Sequence, residues 1–437
     1  MVTTRSSRSH PSPDENRMIA VVTGANAGFG FGICVQLLRN LSLPSGTPLP
    51  LTAQVSKIPD SPASLKDNCS SSSSSSELLA RPPPTFTLIL ACRSQARAEK
   101  ARTLLLARHD KELARRKKRG LPIREGWREG LRVEWEAVDL DAMGGKNEYW
   151  QKYPHITSLY LNAGITNTPG LNWLAFVKQI FVDGLSYAVS HPTFVLERAG
   201  VMSADGERGM PWGINVFAPY ILARELEPML RRSPASLPHS PRIVYTSSVT
   251  STPDALKPDT MSDYQLLTYN DGVRYSHYKA SKYMAEIIMV QLDQEFATRP
   301  ETKGEHQVRC LTADPGCVPT DIFREAWGGE HWIAEFLFIG YWITFYLARL
   351  FGSPWHPVYT SEGASSMVYA GLVEDKYLST PDKVPAEKLI TVSSRWGKTT
   401  VRHGEVDRWE ETQDLGRDLV QACETLRLQW RRREGLE

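Results

Sequence analysis

An α/β fold built around a parallel sheet is predicted by three observations. Short, β-rich apolar runs alternate with helical patterns along most of the 437 residues, the rhythm of successive βαβ units. The first run leads directly into the glycine-rich turn Thr23-Gly24-Ala25-Asn26-Ala27-Gly28-Phe29-Gly30, and a helical pattern follows it through Leu38. With 41% hydrophobic and 23% charged residues, the chain can bury a large core. It reads as one domain over residues 17–437 carrying insertions, after a polar tail over 1–16 that is predicted to be disordered.

The strands are expected at Met18–Thr23, Phe86–Cys92, 133–138, 156–161, Arg242–Thr246, 308–313 and 389–392. Two insertions break the rhythm. Residues 43–84 are rich in Pro and Ser, including the serine run 70–76, and read as a disordered surface loop. Residues 167–210 hold Trp173, Phe176, Phe181 and Tyr187 and have enough apolar surface to pack. The basic cluster at 115–119 closes a helical stretch before Gly120, where cations suit a helix C-terminus. From Trp409 to Trp430 an amphipathic helix is expected, with Leu415, Leu419, Cys423 and Leu426 as its buried stripe.

A net charge of +2 writes no strong attraction to nucleic acid into the chain. The six cysteines are scattered without a C-x-x-C pair. Cys34, Cys92 and Cys310 sit in apolar patterns, so buried free thiols are expected rather than disulfides or a metal site. The N-terminal residues lack the apolar run of a signal peptide, and a catalytic part facing the cytosol is expected. The sequences Asn40-Leu41-Ser42 and Asn68-Cys69-Ser70 match the glycosylation pattern, which a cytosolic chain does not use.

Glycines at a strand-to-helix turn let the backbone approach a pyrophosphate, and the helix N-terminus favours its negative charge. That assigns Thr23, Gly24, Asn26, Gly28, Phe29 and Gly30 to a dinucleotide. The second strand ends Ala91-Cys92-Arg93. An acidic residue there serves the ribose hydroxyls of NAD, whereas an arginine pairs with a 2′-phosphate; Arg93 points to NADP(H). After the third strand, Asp139 and Leu140 stand where they could meet the adenine. Asn162, Ala163 and Gly164 close the fourth strand with small residues that let the cofactor lie close.

Tyr278 and Lys282, four residues apart in Tyr278-Lys279-Ala280-Ser281-Lys282, share one face of a helix. A neighbouring ammonium favours a phenolate, so such a tyrosine is suited to proton exchange with a carbonyl or alcohol oxygen.

Together these residues resemble the short-chain dehydrogenase/reductase family. Thr23 to Gly30 matches its cofactor turn, Asn162 to Gly164 its Asn-Ala-Gly motif and Tyr278 with Lys282 its catalytic pair. Pro315-Gly316, with Val318 and Thr320, matches its turn after the sixth strand. The resemblance implies a Rossmann-like, doubly wound sheet with the active site at the carboxyl ends of the strands. It also places Ser248, in Ile243-Val244-Tyr245-Thr246-Ser247-Ser248, as catalytic serine, with Ser247 the other choice, and Asn215 as the helix asparagine. Ser248 and Tyr278 lie further apart than in compact members, so the chain between them must loop out. By this resemblance Tyr278 protonates a carbonyl oxygen and Ser248 hydrogen-bonds it. Lys282 lowers the phenol pKa and holds the nicotinamide ribose, and Asn215 positions a water.

Residues 332–351 are apolar nearly all round, with Glu335 and Arg349 the only charges. The stretch is just long enough to span a bilayer core. A single crossing would place the strands before and after it on opposite sides of the membrane, so a dip or an interfacial helix is expected. An apolar flap after Pro315-Gly316 implies a large apolar substrate. The order Trp212-Gly213-Ile214-Asn215-Val216-Phe217, then Gly352-Ser353-Pro354-Trp355-His356-Pro357, looks like that of the 3-keto-steroid reductases, fungal members above all. Phe194 and Ser203-Ala204-Asp205-Gly206 fit the same subgroup. That likeness implies reduction of a sterol 3-ketone in C4-demethylation, at the endoplasmic reticulum membrane and lipid droplets beside the other enzymes of those steps. A reductase of another lipophilic carbonyl, such as a 17-keto steroid or a retinoid, and a non-catalytic NADP-binding scaffold are the alternatives.

Overall fold

The computed structural model describes residues 17–44, 85–141, 150, 152–234, 237, 239–269, 275–299, 306–319 and 332–436, with the side chains of 332–338 outside that set. The polar tail, almost all of the Ser-rich insertion, Asn68, Cys69 and Thr320 fall outside it.

Eight strands form the sheet: β1 (Met18–Thr23), β2 (Phe86–Cys92), β3 (Leu131–Ala137), β4 (Ser158–Leu161), β7 (Arg242–Thr246), β8 (Arg309–Asp314), β9 (Glu387–Ser393) and β10 (Thr399–Glu405). Within the 167–210 insertion, β5 (Gly170–Leu171) and β6 (Val195–Leu196) pair as a separate two-stranded ribbon. The order in the large sheet is β10-β9-β8-β7-β4-β1-β2-β3. Every neighbour is parallel except β10, which runs back along β9.

Because side chains alternate along a strand, β1 feeds two cores. Ile19 and Val21 join one cluster, in which Trp212, Phe217, Tyr283 and Leu419 are buried. Met18, Ala20 and Val22 join the other, with Ile33, Leu37, Met367 and Val368. The sheet is thereby covered by helices on both faces, the doubly wound arrangement. The strand order reverses between β1 and β4, the point at which such sheets open a crevice for ligands.

The 167–210 insertion does pack in part. Its helices Trp173–Asp183 and Leu185–Ser190 adjoin the ribbon, and Phe176 stacks edge-on against Phe194 at 4.7 Å. Phe181 remains 85% exposed. Arg116 departs from the solvated cluster expected at 115–119. It is buried, donating to Ser42 Oγ at 3.0 Å and to the Arg39 carbonyl at 3.1 Å, and so holds the end of the helix Gly28–Leu41. Asn40 is buried as well, its amide bound to the Gln36 carbonyl. Cys34, Cys92, Cys310 and Cys423 are buried free thiols and Cys317 is half-buried.

Candidate active site

The glycine turn is shaped by contacts that only small residues permit. Gly24 and Gly28 have φ of 67° and 52°, the left-handed region that glycine enters freely. A Cβ on Gly30 would stand 2.4 Å from the Gly24 carbonyl oxygen and 2.7 Å from Asn162 Nδ2. The Asn162 amide donates to the Thr23 carbonyl at 2.9 Å, and the Asn162 and Ala163 N–H groups bind Thr23 Oγ1 at 2.8 and 3.0 Å. Strand ends β1 and β4 are thus locked together beside the turn. The helix Gly28–Leu41 has no side-chain cap and no acidic residue in its first turn, which leaves its positive end available to an anion. A groove of about 1480 Å³ follows, lined by Gly24, Gly28, Phe29, Gly30, Asn162, Ala163 and Gly164 among others. Its donors, glycines and uncapped helix end fit a dinucleotide pyrophosphate.

Arg93 is exposed just past β2, and Asp139 and Leu140 follow β3. The Asp139 carboxylate accepts the Asp141 N–H at 3.1 Å, while Leu140 packs against the core. Asn26 is half-buried in the turn.

A second cavity shares Phe29, Asn162, Gly164 and Thr166 with the groove. Ser248, Tyr278, Lys282, Pro315, Gly316 and Val318 all line it. The structure therefore brings the candidate catalytic hydroxyls and the lysine into one chamber. The helix His277–Thr298 starts with Ser276, whose Oγ accepts the Lys279 N–H at 3.1 Å; this cap sets Tyr278 in its first turn. Gly316, at φ 70°, turns the chain after β8, its N–H held by Asp314 Oδ1 at 2.8 Å.

Ser247 and Ser248 have different surroundings. Ser247 is buried and donates to Glu286. Ser248 Oγ contacts Thr250 Oγ1 at 2.9 Å and lies close enough to Tyr278 to favour its phenolate. Of the two serines, Ser247 is committed to Glu286 and Ser248 is the one that bears on the tyrosine.

The expected lowering of the Tyr278 pKa does not hold in this site. Desolvation pushes it up to about 12, with Ser248 pulling the other way and Asp314, Cys317 and Glu197 adding to the rise. Desolvation likewise brings Lys282 down to about 8 against the charges of Glu286 and Asp314. The Lys282 ammonium donates to the Thr246 carbonyl at 2.9 Å and stands 5.9 Å from the Tyr278 ring centre. Burial is the largest influence on the phenol.

Asn215 lies in a π-helical turn, Gly213–Phe217, a distortion common at functional sites. Its Nδ2 donates to the Ile165 carbonyl and to Ser281 Oγ, both at 2.9 Å, and its Oδ1 accepts the Ile165 N–H at 2.9 Å. The side chain ties the loop after β4 to the tyrosine helix.

The sequence reading did not single out Glu197 or Val189, which also line the chamber beside Tyr341 and Phe345 of the expected apolar flap. Glu197 comes from the insertion and caps the tyrosine helix through Ser276 Oγ at 2.5 Å and the His277 N–H at 2.7 Å; desolvation raises its pKa to about 7. Tyr341 and Phe345 come from the apolar helix Trp332–Leu350, where Phe345 and Ala348 pack with Val189.

No family model matches the chain. It is 29% identical over 282 residues to the 3-keto-steroid reductase of Kluyveromyces lactis, spanning 64% of this chain and 70% of that one. The 3-keto-steroid reductase of Schizosaccharomyces pombe is 26% identical over 393 residues, which are 89% of this chain and 88% of its own. The chain is a relative of the fungal 3-keto-steroid reductases. Among solved structures, salutaridine reductase from Papaver somniferum aligns at 18% identity and a TM-score of 0.40, over 70% of this chain and 88% of that one.

Proposed function

We propose that this protein reduces a sterol 3-ketone to the 3β-alcohol with NADPH, in the C4-demethylation steps of sterol biosynthesis. One observation carries the reading: in a relative of the 3-keto-steroid reductases, Ser248, Tyr278 and Lys282 meet in one chamber that shares its wall with the glycine-turn groove. Bound NADPH supplies a hydride for the carbonyl carbon. The glycine turn and the Asn162–Gly164 segment are the residues that would hold its pyrophosphate side, with Arg93 at the 2′-phosphate.

Tyr278 supplies the proton. A phenol held near 12 stays protonated at neutral pH, the state needed to donate to the ketone oxygen. Ser248 donates a hydrogen bond to the same oxygen and stabilises the charge that grows there. Lys282 is cationic below about pH 8 and opposes the negative charge left on the phenol. Tyr341, Phe345, Val189 and Val195 supply apolar wall for a ring system.

The reading extends to place: the cytosolic face of the endoplasmic reticulum membrane, with lipid droplets and the other C4-demethylation enzymes nearby. It is supported by the apolar surface around the chamber. Leu174, Phe181 and Val182 of the insertion, and Ile339, Ile343, Tyr346 and Phe351 of the apolar segment, are exposed. Among the described residues no helix is long and apolar enough to cross a membrane.

The test is NADPH oxidation with 4-methyl and 4-desmethyl sterol 3-ketones beside a 17-keto steroid and retinal, all in detergent. Turnover of the sterol ketones is expected, and a loss of about 10²- to 10⁴-fold in Tyr278→Phe with NADPH affinity retained. Turnover confined to the 17-keto steroid or retinal would overturn the substrate, and an active Tyr278→Phe would overturn the proton donor.

A further inference from the structure

Glu286 lies four residues past Lys282, on the same helix, and takes no part in the mechanism above. It is fully buried, a position in which a carboxylate is costly unless it is paired and hydrogen-bonded. Lys388 of β9 pairs with it at 3.1 and 3.4 Å. Its carboxylate also accepts the Ser247 hydroxyl, and Ser247 Oγ in turn accepts the backbone N–H of Ser248. A buried chain of contacts therefore runs from β9, beside the edge strand, to the backbone of Ser248, which lines the chamber with Tyr278.

The same carboxylate bears on Lys282. Other groups face this lysine too: Tyr245 and the Thr246 carbonyl from β7, Asp314 from β8, and Tyr278 on its own helix. Glu286 is faced by Ser247 and Ser251 after β7, by Asp314 and by Lys388, and Asp407 faces Lys388 in its turn. Against the desolvation that strips Lys282 of its proton, Glu286 is the larger opposing charge and Asp314 the smaller.

We infer that Glu286 is a positioning residue of the reduction: its carboxylate fixes Ser247, and through it the Ser248 backbone, and sets a negative charge one helical turn behind Lys282. The step it serves is the carbonyl reduction proposed above, and the inference rests on that reading. A purely structural ion pair with Lys388 would do neither task.

The experiment follows NADPH affinity against pH by nucleotide fluorescence, together with kcat on the sterol ketone. In the unaltered protein an inflection is expected near pH 8, where Lys282 loses its charge, above the value of about 7 to which desolvation raises Glu286, so that the glutamate is charged there. Removing a nearby anion weakens the hold on a cation's proton, so Glu286→Gln is expected to move the inflection down by about one pH unit. It is also expected to lower kcat by about 10- to 100-fold as Ser248 shifts. Glu286→Gln leaves Lys388 unpaired, so the double variant Glu286→Gln/Lys388→Met is measured beside it, with the same direction expected. Ser247→Ala is expected to lower kcat while leaving the inflection in place. An inflection unmoved in whichever glutamate variant folds overturns the inference. Absence of sterol turnover with the inflection moved as expected overturns the substrate instead, because the binding readout needs no sterol.

Discussion

Arg93, at the end of β2, is the residue proposed to set the cofactor preference. It is exposed, and among the described residues Cys92 and Ser94 beside it are tied into the strand end and the following helix cap instead. A guanidinium makes charge-assisted hydrogen bonds to a phosphate, and an acidic side chain at this place suits the ribose hydroxyls of NADH. Arg93→Asp is therefore expected to raise the KM for NADPH about 10- to 100-fold while the KM for NADH falls. Steady-state kinetics with both nucleotides check it, and an unchanged NADPH preference would remove Arg93 from the cofactor site. At this scale the sequence was readable where chemistry is local: the glycine turn, Asn162, Tyr278 and Lys282 stand in order along the chain. Glu286 was within reach of the same logic, since its spacing from Lys282 repeats that of Lys282 from Tyr278. Lys388 was not, because only the pairing of β8 with β9 brings it to Glu286. The Tyr278 pKa was misjudged because spacing shows the neighbouring lysine but not the depth of burial that raises the phenol.

Among the elements, strands with continuous apolar runs announced themselves. β1, β2 and β7 fall where the sequence placed them, and β3, β4, β8 and β9 lie within two residues at most of their boundaries. β10 went unseen because Thr399–Glu405 is mostly polar, with Val401 its one buried hydrophobic residue; its strand form comes from pairing with β9. The helices of the substrate side show the opposite imbalance, apolar surface with little covering it. Leu174 and Phe181 on Trp173–Asp183 are each 85% exposed, and neither lines the catalytic chamber. A lipid surface is the partner proposed for them. Withdrawing one large apolar side chain from water is worth about 1.5–3 kcal/mol, so Leu174→Glu/Phe181→Glu is expected to reduce partitioning onto lipid vesicles by about tenfold or more. Sedimentation with phosphatidylcholine vesicles measures it, while turnover of detergent-dispersed substrate is expected to hold. Equal partitioning of the two proteins would put the membrane contact elsewhere.

For the molecule as a whole, the site is a meeting of parts from far apart in the chain, and what keeps them together lies behind it. The front of the helix His277–Thr298 presents Tyr278 and Lys282, and its back is covered by the C-terminal helix Trp409–Arg433. Tyr283, next to Lys282 in sequence, donates to the Asp407 carbonyl at 2.6 Å and contacts Thr412 Oγ1 at 2.8 Å. Trp409, Leu419 and Cys423 are fully buried in the same cluster, with Leu415 and Leu426 packed against it, close to the stripe read from the sequence. Arg431 adds an ion pair to Glu225 at 2.5 Å at the far end. The cover supplies no residue to the chamber, so its role is support. Truncating a buried leucine to alanine typically costs about 2–5 kcal/mol, because the lost contacts leave a cavity. Leu419→Ala is expected to lower the Tm by several degrees and to leave kcat at low temperature within about twofold of the parent, since a cavity behind the helix need not shift Tyr278. Thermal unfolding followed beside the sterol-ketone assay distinguishes the two effects. An unchanged Tm would show that the C-terminal helix does not hold the fold, and a collapse of kcat at unchanged Tm would give it a part in the chemistry.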